Sequence, residues 1–78
     1  MSLAAAFAAQ IKQQLAHQGL SQLVLAQRLG LSEGRVSQLL HGRGNLTLRT
    51  MTNIAQVLGL ELQLLVRPHG VDQFGGAR

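Results

Sequence analysis

"GLSEGRVSQLLHGRGN", residues 30–45, is the stretch whose reading decides the fold. Val36, Leu39 and Leu40 fall on one side of a short helical run; Glu33, Gly34, Arg35, Ser37, Gln38 and His41 fall on the other. Ser32 offers an N-cap and Gly42 a stop, which predicts a helix from Glu33 to about Leu40. Isolated helices shorter than about a dozen residues are marginal in water. A neighbour must therefore hold the apolar side, and the polar side stays open to a ligand.

The preceding residues supply that neighbour. Ser21 caps a helix over Gln22 to Leu29, which is expected to bury Leu25, Ala26 and Leu29 and to stop at Gly30. Leu29-Gly30-Leu31-Ser32 permits only a tight turn. Gly30 can take the left-handed conformation that ends the helix, and Leu31 is expected to tuck under both helices. The small Ala26 leaves room for the next helix to cross closely, with Val36 and Leu39 filling the crossing. Two helices at a steep angle joined by a short glycine turn form a helix-turn-helix.

Two more helices flank this pair. Ser2 caps one through about Gln18, with Leu3, Phe7, Ile11 and Leu15 at i, i+4 spacing and Gly19 behind. Thr47 caps another, Leu48 to Leu58, with Met51, Ile54, Ala55 and Leu58 on one face and Gly59 behind. The period then changes. In "LELQLLVRP", residues 60–68, Leu60, Leu62, Leu64 and Val66 alternate with Glu61, Gln63, Leu65 and Arg67, which favours a β-strand ended by Pro68. Leu58, Leu62 and Leu65 also fit i, i+4, i+7, so a short fifth helix competes.

A strand needs a partner for its backbone, and no second strand is readable in the chain. The simplest partner is the same segment of a second copy, antiparallel across a two-fold axis, with Leu60, Leu62, Leu64 and Val66 as dimerisation residues. "HGVDQFGGAR", residues 69–78, has no usable period. The expected organisation is a helix-turn-helix domain over 1–59, a dimerisation strand or fifth helix over 60–67, and a flexible tail over 68–78.

Composition narrows the partner. Seventy-eight residues make one small domain, and no cysteine is present for a disulfide or zinc–thiolate staple. Seven Lys+Arg oppose three Asp+Glu, for a formal charge of +4. Arg28, Arg35, Arg43 and Arg49 are opposed in their own stretch only by Glu33. A polyanion is the natural partner, nucleic acid ahead of membrane; a mildly basic, merely solvated surface is the alternative. Phe7 and Phe74 are the only aromatic residues, which argues against a base-stacking surface.

Other classes fare poorly. "MSLAAAFAAQ" lacks a basic n-region, and no run approaches the roughly 20 apolar residues of a membrane span. A cytoplasmic protein with no membrane partner is expected. His17, His41 and His69 are scattered without metal-ligand spacing. No Ser/His/Asp set, phosphate-binding glycine loop or paired carboxylate is apparent. The expectation is no metal, no cofactor and no enzymatic activity.

Residues 21–59 resemble the lambda-repressor/Cro-like (XRE-type) DNA-binding domains. Ser21-Gln22, Leu25-Ala26, Gly30-Leu31-Ser32, Val36-Ser37, Leu39, Gly42 and the "GNLTLRT…IA..LG" run from Gly44 to Gly59 carry the resemblance. It implies a mainly α, four- or five-helix lambda-repressor-like domain whose third helix enters the major groove; the residues themselves add the short C-terminal β-strand. The implied function is a sequence-specific regulator of transcription that binds double-stranded DNA, expected as a homodimeric repressor on a palindromic operator. The alternative is an antitoxin that binds DNA and also a toxin protein.

The major groove shows a distinct donor and acceptor pattern for each base pair. By position, Ser32, Glu33, Gly34, Ser37 and Gln38 are the candidate base readers. Gln38 can pair with adenine N6 and N7, and Glu33 can accept from cytosine N4. Gln22 resembles the family residue that holds a phosphate at a helix start. Arg35, Arg43, Asn45 and Arg49 continue the candidate phosphate clamp, His41 is within reach of DNA, and Arg28 either pairs with Glu33 or stays solvated. Gly34 costs the helix roughly 1 kcal/mol against alanine. Either DNA comes too close there for a side chain, or a surface glycine is simply tolerated.

Overall fold

The computed structural model describes residues 2–66 apart from Gly44 and Leu65. Four helices occupy them: α1 (Leu3–Gln18), α2 (Gln22–Leu29), α3 (Glu33–Leu40) and α4 (Leu48–Val57). Each begins at the hydroxyl residue expected from sequence. Ser2, Ser21, Ser32 and Thr47 accept from the backbone N–H three residues on, at 3.0–3.1 Å. A cap of this kind stabilises a helix by about 1 kcal/mol, which matters most for the two eight-residue helices.

The ends of α1, α2 and α4 share a second device. Gly30, at φ 72°, takes the left-handed conformation, and the Leu31 N–H turns back to donate to the Ala26 carbonyl at 2.9 Å. Leu20 donates to Leu15 and Leu60 to Ala55 in the same way, both at 2.8 Å. α4 stops one residue earlier than expected, with Leu58 as its cap. Two of its terminal carbonyls find side-chain donors on other helices. Gln18 Nε2 donates to Leu58 O at 3.2 Å, and Arg28 Nη1 to Val57 O at 3.4 Å. Arg28 thus ties α2 to α4 and places its charge at the negative end of a helix, instead of pairing with Glu33.

The core draws on every helix. Phe7, Ile11 and Leu15 come from α1, Leu25 and Ala26 from α2, Val36 and Leu40 from α3, and Met51 and Ile54 from α4. Among the described residues no polar side chain is buried. α2 packs on α3 and on α4, and α1 packs on α3. Ala26 and Val36 are each 1% exposed, as the expected crossing of α2 and α3 requires.

Three apolar residues stand elsewhere than their spacing suggests. Leu3, on the first turn of α1, is 57% exposed. Leu29 is half-buried, and Leu31 remains 40% exposed at the turn instead of tucking beneath it.

The strand expected over 60–67 is not seen among the described residues of that segment. Described residues 60–64 are neither strand nor helix, so the fifth helix is absent there as well. A strand exists only through pairing, and no second strand lies among the described residues. The period-2 pattern nevertheless survives in part. Leu60 and Leu62 pack against the core while Glu61 and Gln63 face water. It fails at Leu64 and Val66, which are uncovered. Residues 68–78, expected to be a flexible tail, lie outside the described residues.

Candidate nucleic-acid interface

Burial of Val36, Leu39 and Leu40 fixes the rotation of α3 about its own axis. The opposite side is centred on Gly34 and Gln38, one helical turn apart, since successive residues advance about 100°. Both are exposed, as are Ser32 and Glu33. Ser32 Oγ is committed to its cap but its O–H is still a donor. Ser37 sits at the edge of this face and is half-buried. Gly34 and Gln38 thus hold the centre of the open face, Ser32 and Glu33 are exposed at the N-terminal end of the helix, and Ser37 borders the face.

The candidate phosphate residues spread around that surface instead of forming one clamp. Arg43 joins Ser37, Gln38 and His41 around a surface depression at the C-terminal end of α3. The Arg43 N–H donates to Gln38 O at 2.8 Å, which holds the loop against the helix. Arg35 faces the other way. With Arg28, Leu31, Leu39, Thr50 and Asn53 it lines a groove between the α2–α3 turn and α4. Asn45 and Arg49 are exposed, in the loop and on the first turn of α4. Gln22, the first residue of α2, is half-buried.

Two further polar residues join the surface: His41, read from sequence as within reach of DNA, and Lys12, which the sequence did not single out. His41 caps α3, and its Nδ1 lies 2.8 Å from Ser37 O and 3.5 Å from Ser37 Oγ. With Nδ1–H donating to that carbonyl, Nε2 is left as the acceptor of the neutral ring. The i, i+4 spacing of Ser37 and His41 was the available signal. Lys12, on α1, borders a shallow depression with His41 and Gly42. Its sequence distance from α3 gave no hint of this.

A short helix braced by a second one, with an open polar face and arginines on both flanks, defines a DNA-binding helix-turn-helix. A protein-family model described as "Helix-turn-helix" matches residues 11–65. That is more than half of the chain, so the chain belongs to the helix-turn-helix family, in its lambda-repressor/Cro-like (XRE-type) form. No curated protein and no solved structure matched the chain. Family membership brings binding to double-stranded DNA and a role in transcription regulation. No helix among the described residues is long and apolar enough to cross a membrane.

Proposed function

We propose that the protein is a sequence-specific, homodimeric repressor that reads a palindromic operator with the outward side of α3. The single observation that supports it best is that side itself: exposed Gly34 and Gln38 at its centre, exposed Glu33 at its N-terminal end, and exposed Arg43 beside Gln38. A helix fits the major groove, and a glutamine there can make two hydrogen bonds to one adenine. Arg35, Arg43, Asn45, Arg49 and Gln22 hold phosphates and set register without reading sequence. Repression follows where such an operator overlaps a promoter.

Dimerisation is supported by the uncovered end of the C-terminal segment. Leu64 is 56% and Val66 83% exposed, at the positions that alternation assigns to the same side as Leu60 and Leu62. A second copy lying antiparallel across a two-fold axis covers them, pairs the free backbone and enlarges a small core. It also sets two α3 helices about 34 Å apart, one turn of DNA.

Selection of bound sequences from a random duplex library tests the whole proposal; the expected product is a two-fold symmetric site. On that site, Gln38→Ala is expected to cost roughly 1–3 kcal/mol and to relax preference at one position per half-site. An equal loss on random DNA would assign Gln38 to the backbone instead. The arginines around that surface make a separate prediction. Arg35, Arg43 and Arg49 from two subunits release on the order of six counterions, so log K against log salt should slope about −5. Arg43→Ala should flatten that slope and weaken all sequences alike; a salt-independent affinity would refute the electrostatic part.

A further inference from the structure

We propose that His41 makes DNA binding proton-dependent: with Lys12 and Arg43 it forms a phosphate site at the C-terminal end of α3 that engages the DNA backbone only when the ring is protonated. The proposal rests on the DNA-binding reading above and adds a regulatory input, pH, to it.

The tautomer carries the argument. His41 Nδ1 lies 2.8 Å from Ser37 O, and a carbonyl oxygen can only accept, so Nδ1 keeps its proton whatever the charge of the ring. The neutral ring then presents a lone pair at Nε2, which has no hydrogen-bond partner among the described residues. A backbone phosphate offers acceptors alone. Neutral His41 therefore has no hydrogen to give it, whereas a second proton turns Nε2 into a charged donor. Histidine is the side chain that ordinarily gains this proton between about pH 5 and 8.

The surroundings decide what balances the added charge. The charged groups beside the ring are Lys12 of α1 and Arg43 of the following loop, and no carboxylate lines either depression that His41 borders. All three side chains are exposed. The negative end of α3 favours a cation there, but two like charges oppose it, and only an anion from outside the chain can tip that balance. Space exists for one. Next to Lys12, α1 carries the small Ala5, Ala8 and Ala9, so no long side chain fills the surface over His41 and Gly42. The ring also shares its depression with Gln38, at the centre of the side of α3 turned to DNA. The anion is therefore a phosphate at the edge of the groove that α3 enters. DNA then binds the protonated protein more tightly, binding takes up a proton, and affinity rises as pH falls.

The test compares affinity for the duplex selected from a random library at about pH 8 and about pH 6, at fixed salt. Wild-type protein should bind roughly tenfold tighter at the lower value, the size of one charge-assisted contact, and its salt slope should steepen there by about 0.9 per subunit. His41→Gln should keep the weak, high-pH affinity at both values, and His41→Lys should bind tightly at both. His17→Gln and His69→Gln should retain the wild-type response. Lys12→Gln should flatten the salt slope by about 0.9 per subunit, and an unchanged slope would remove α1 from the site. A wild-type affinity independent of pH would overturn the proposal. So would a His41→Gln protein that is weaker at both values but keeps the wild-type ratio, because His41 would then be only a structural cap. Failure to bind any duplex at either value would overturn the DNA-binding reading itself, and this proposal with it.

Discussion

Ala26→Leu is expected to abolish specific DNA binding and to lower the melting midpoint by about 5–20 °C. Ala26 is 1% exposed, in the core cluster with Val36 of α3. A leucine there has no free volume to enter, and over-packing a core costs roughly 1–3 kcal/mol. In a domain of this size each kcal/mol moves the midpoint by about 4–8 °C. The change is also directional. Relief comes most easily by pushing α3 away from α2, because α3 is short and held only by its apolar side. That displaces Gly34 and Gln38 relative to the rest of the interface, and DNA contacts tolerate such shifts poorly. Ala26→Ser, nearly equal in volume, should lose far less of both. Thermal melting followed by circular dichroism and operator binding followed by fluorescence anisotropy would measure the two effects. Unchanged values for Ala26→Leu would mean that α2 and α3 do not meet at residue 26.

Leu64→Asp is expected to give a folded monomer whose operator affinity is on the order of a hundredfold lower. Leu64 is 56% exposed, so a charge there leaves the single chain intact. In the proposed dimer the same position is covered, and a pair of aspartates across the axis would be both desolvated and mutually repelled. Separated subunits lose the effective concentration that joins two half-site contacts, a factor of about 10²–10⁴. Leu62→Asp should produce the same monomer with an added fall in stability, because Leu62 already packs on the core. Sedimentation at tens of micromolar separates the outcomes. A monomeric wild-type protein at that concentration would overturn the dimer, while leaving the fold and the α3 surface as they are.

The starts of all four helices, and the ends of α1 and α2, were set by the amino-acid sequence alone, whereas α4 ended one residue short of its expected stop. Their determinants act over three to five residues: hydroxyls at Ser2, Ser21, Ser32 and Thr47, glycines at Gly19 and Gly30, and the apolar period between them. The open side of α3 was equally legible, since burying Val36, Leu39 and Leu40 leaves Gly34 and Gln38 facing outward. Exposure at the margins was not legible. Leu3 and Leu31 carry the right spacing and still face water, because coverage depends on how far a neighbouring helix reaches. The separation of Arg35 from Arg43, the place of Lys12 beside His41, and the bonds from Gln18 and Arg28 to the end of α4 belong to the same class. Each joins residues far apart in the chain, or depends on the crossing of two helices. Local hydrogen bonding and periodicity specify where an element starts, stops and is apolar. Only the angles at which α1 to α4 pack decide which side chains then meet, since those angles arise from the shapes of all four apolar faces together.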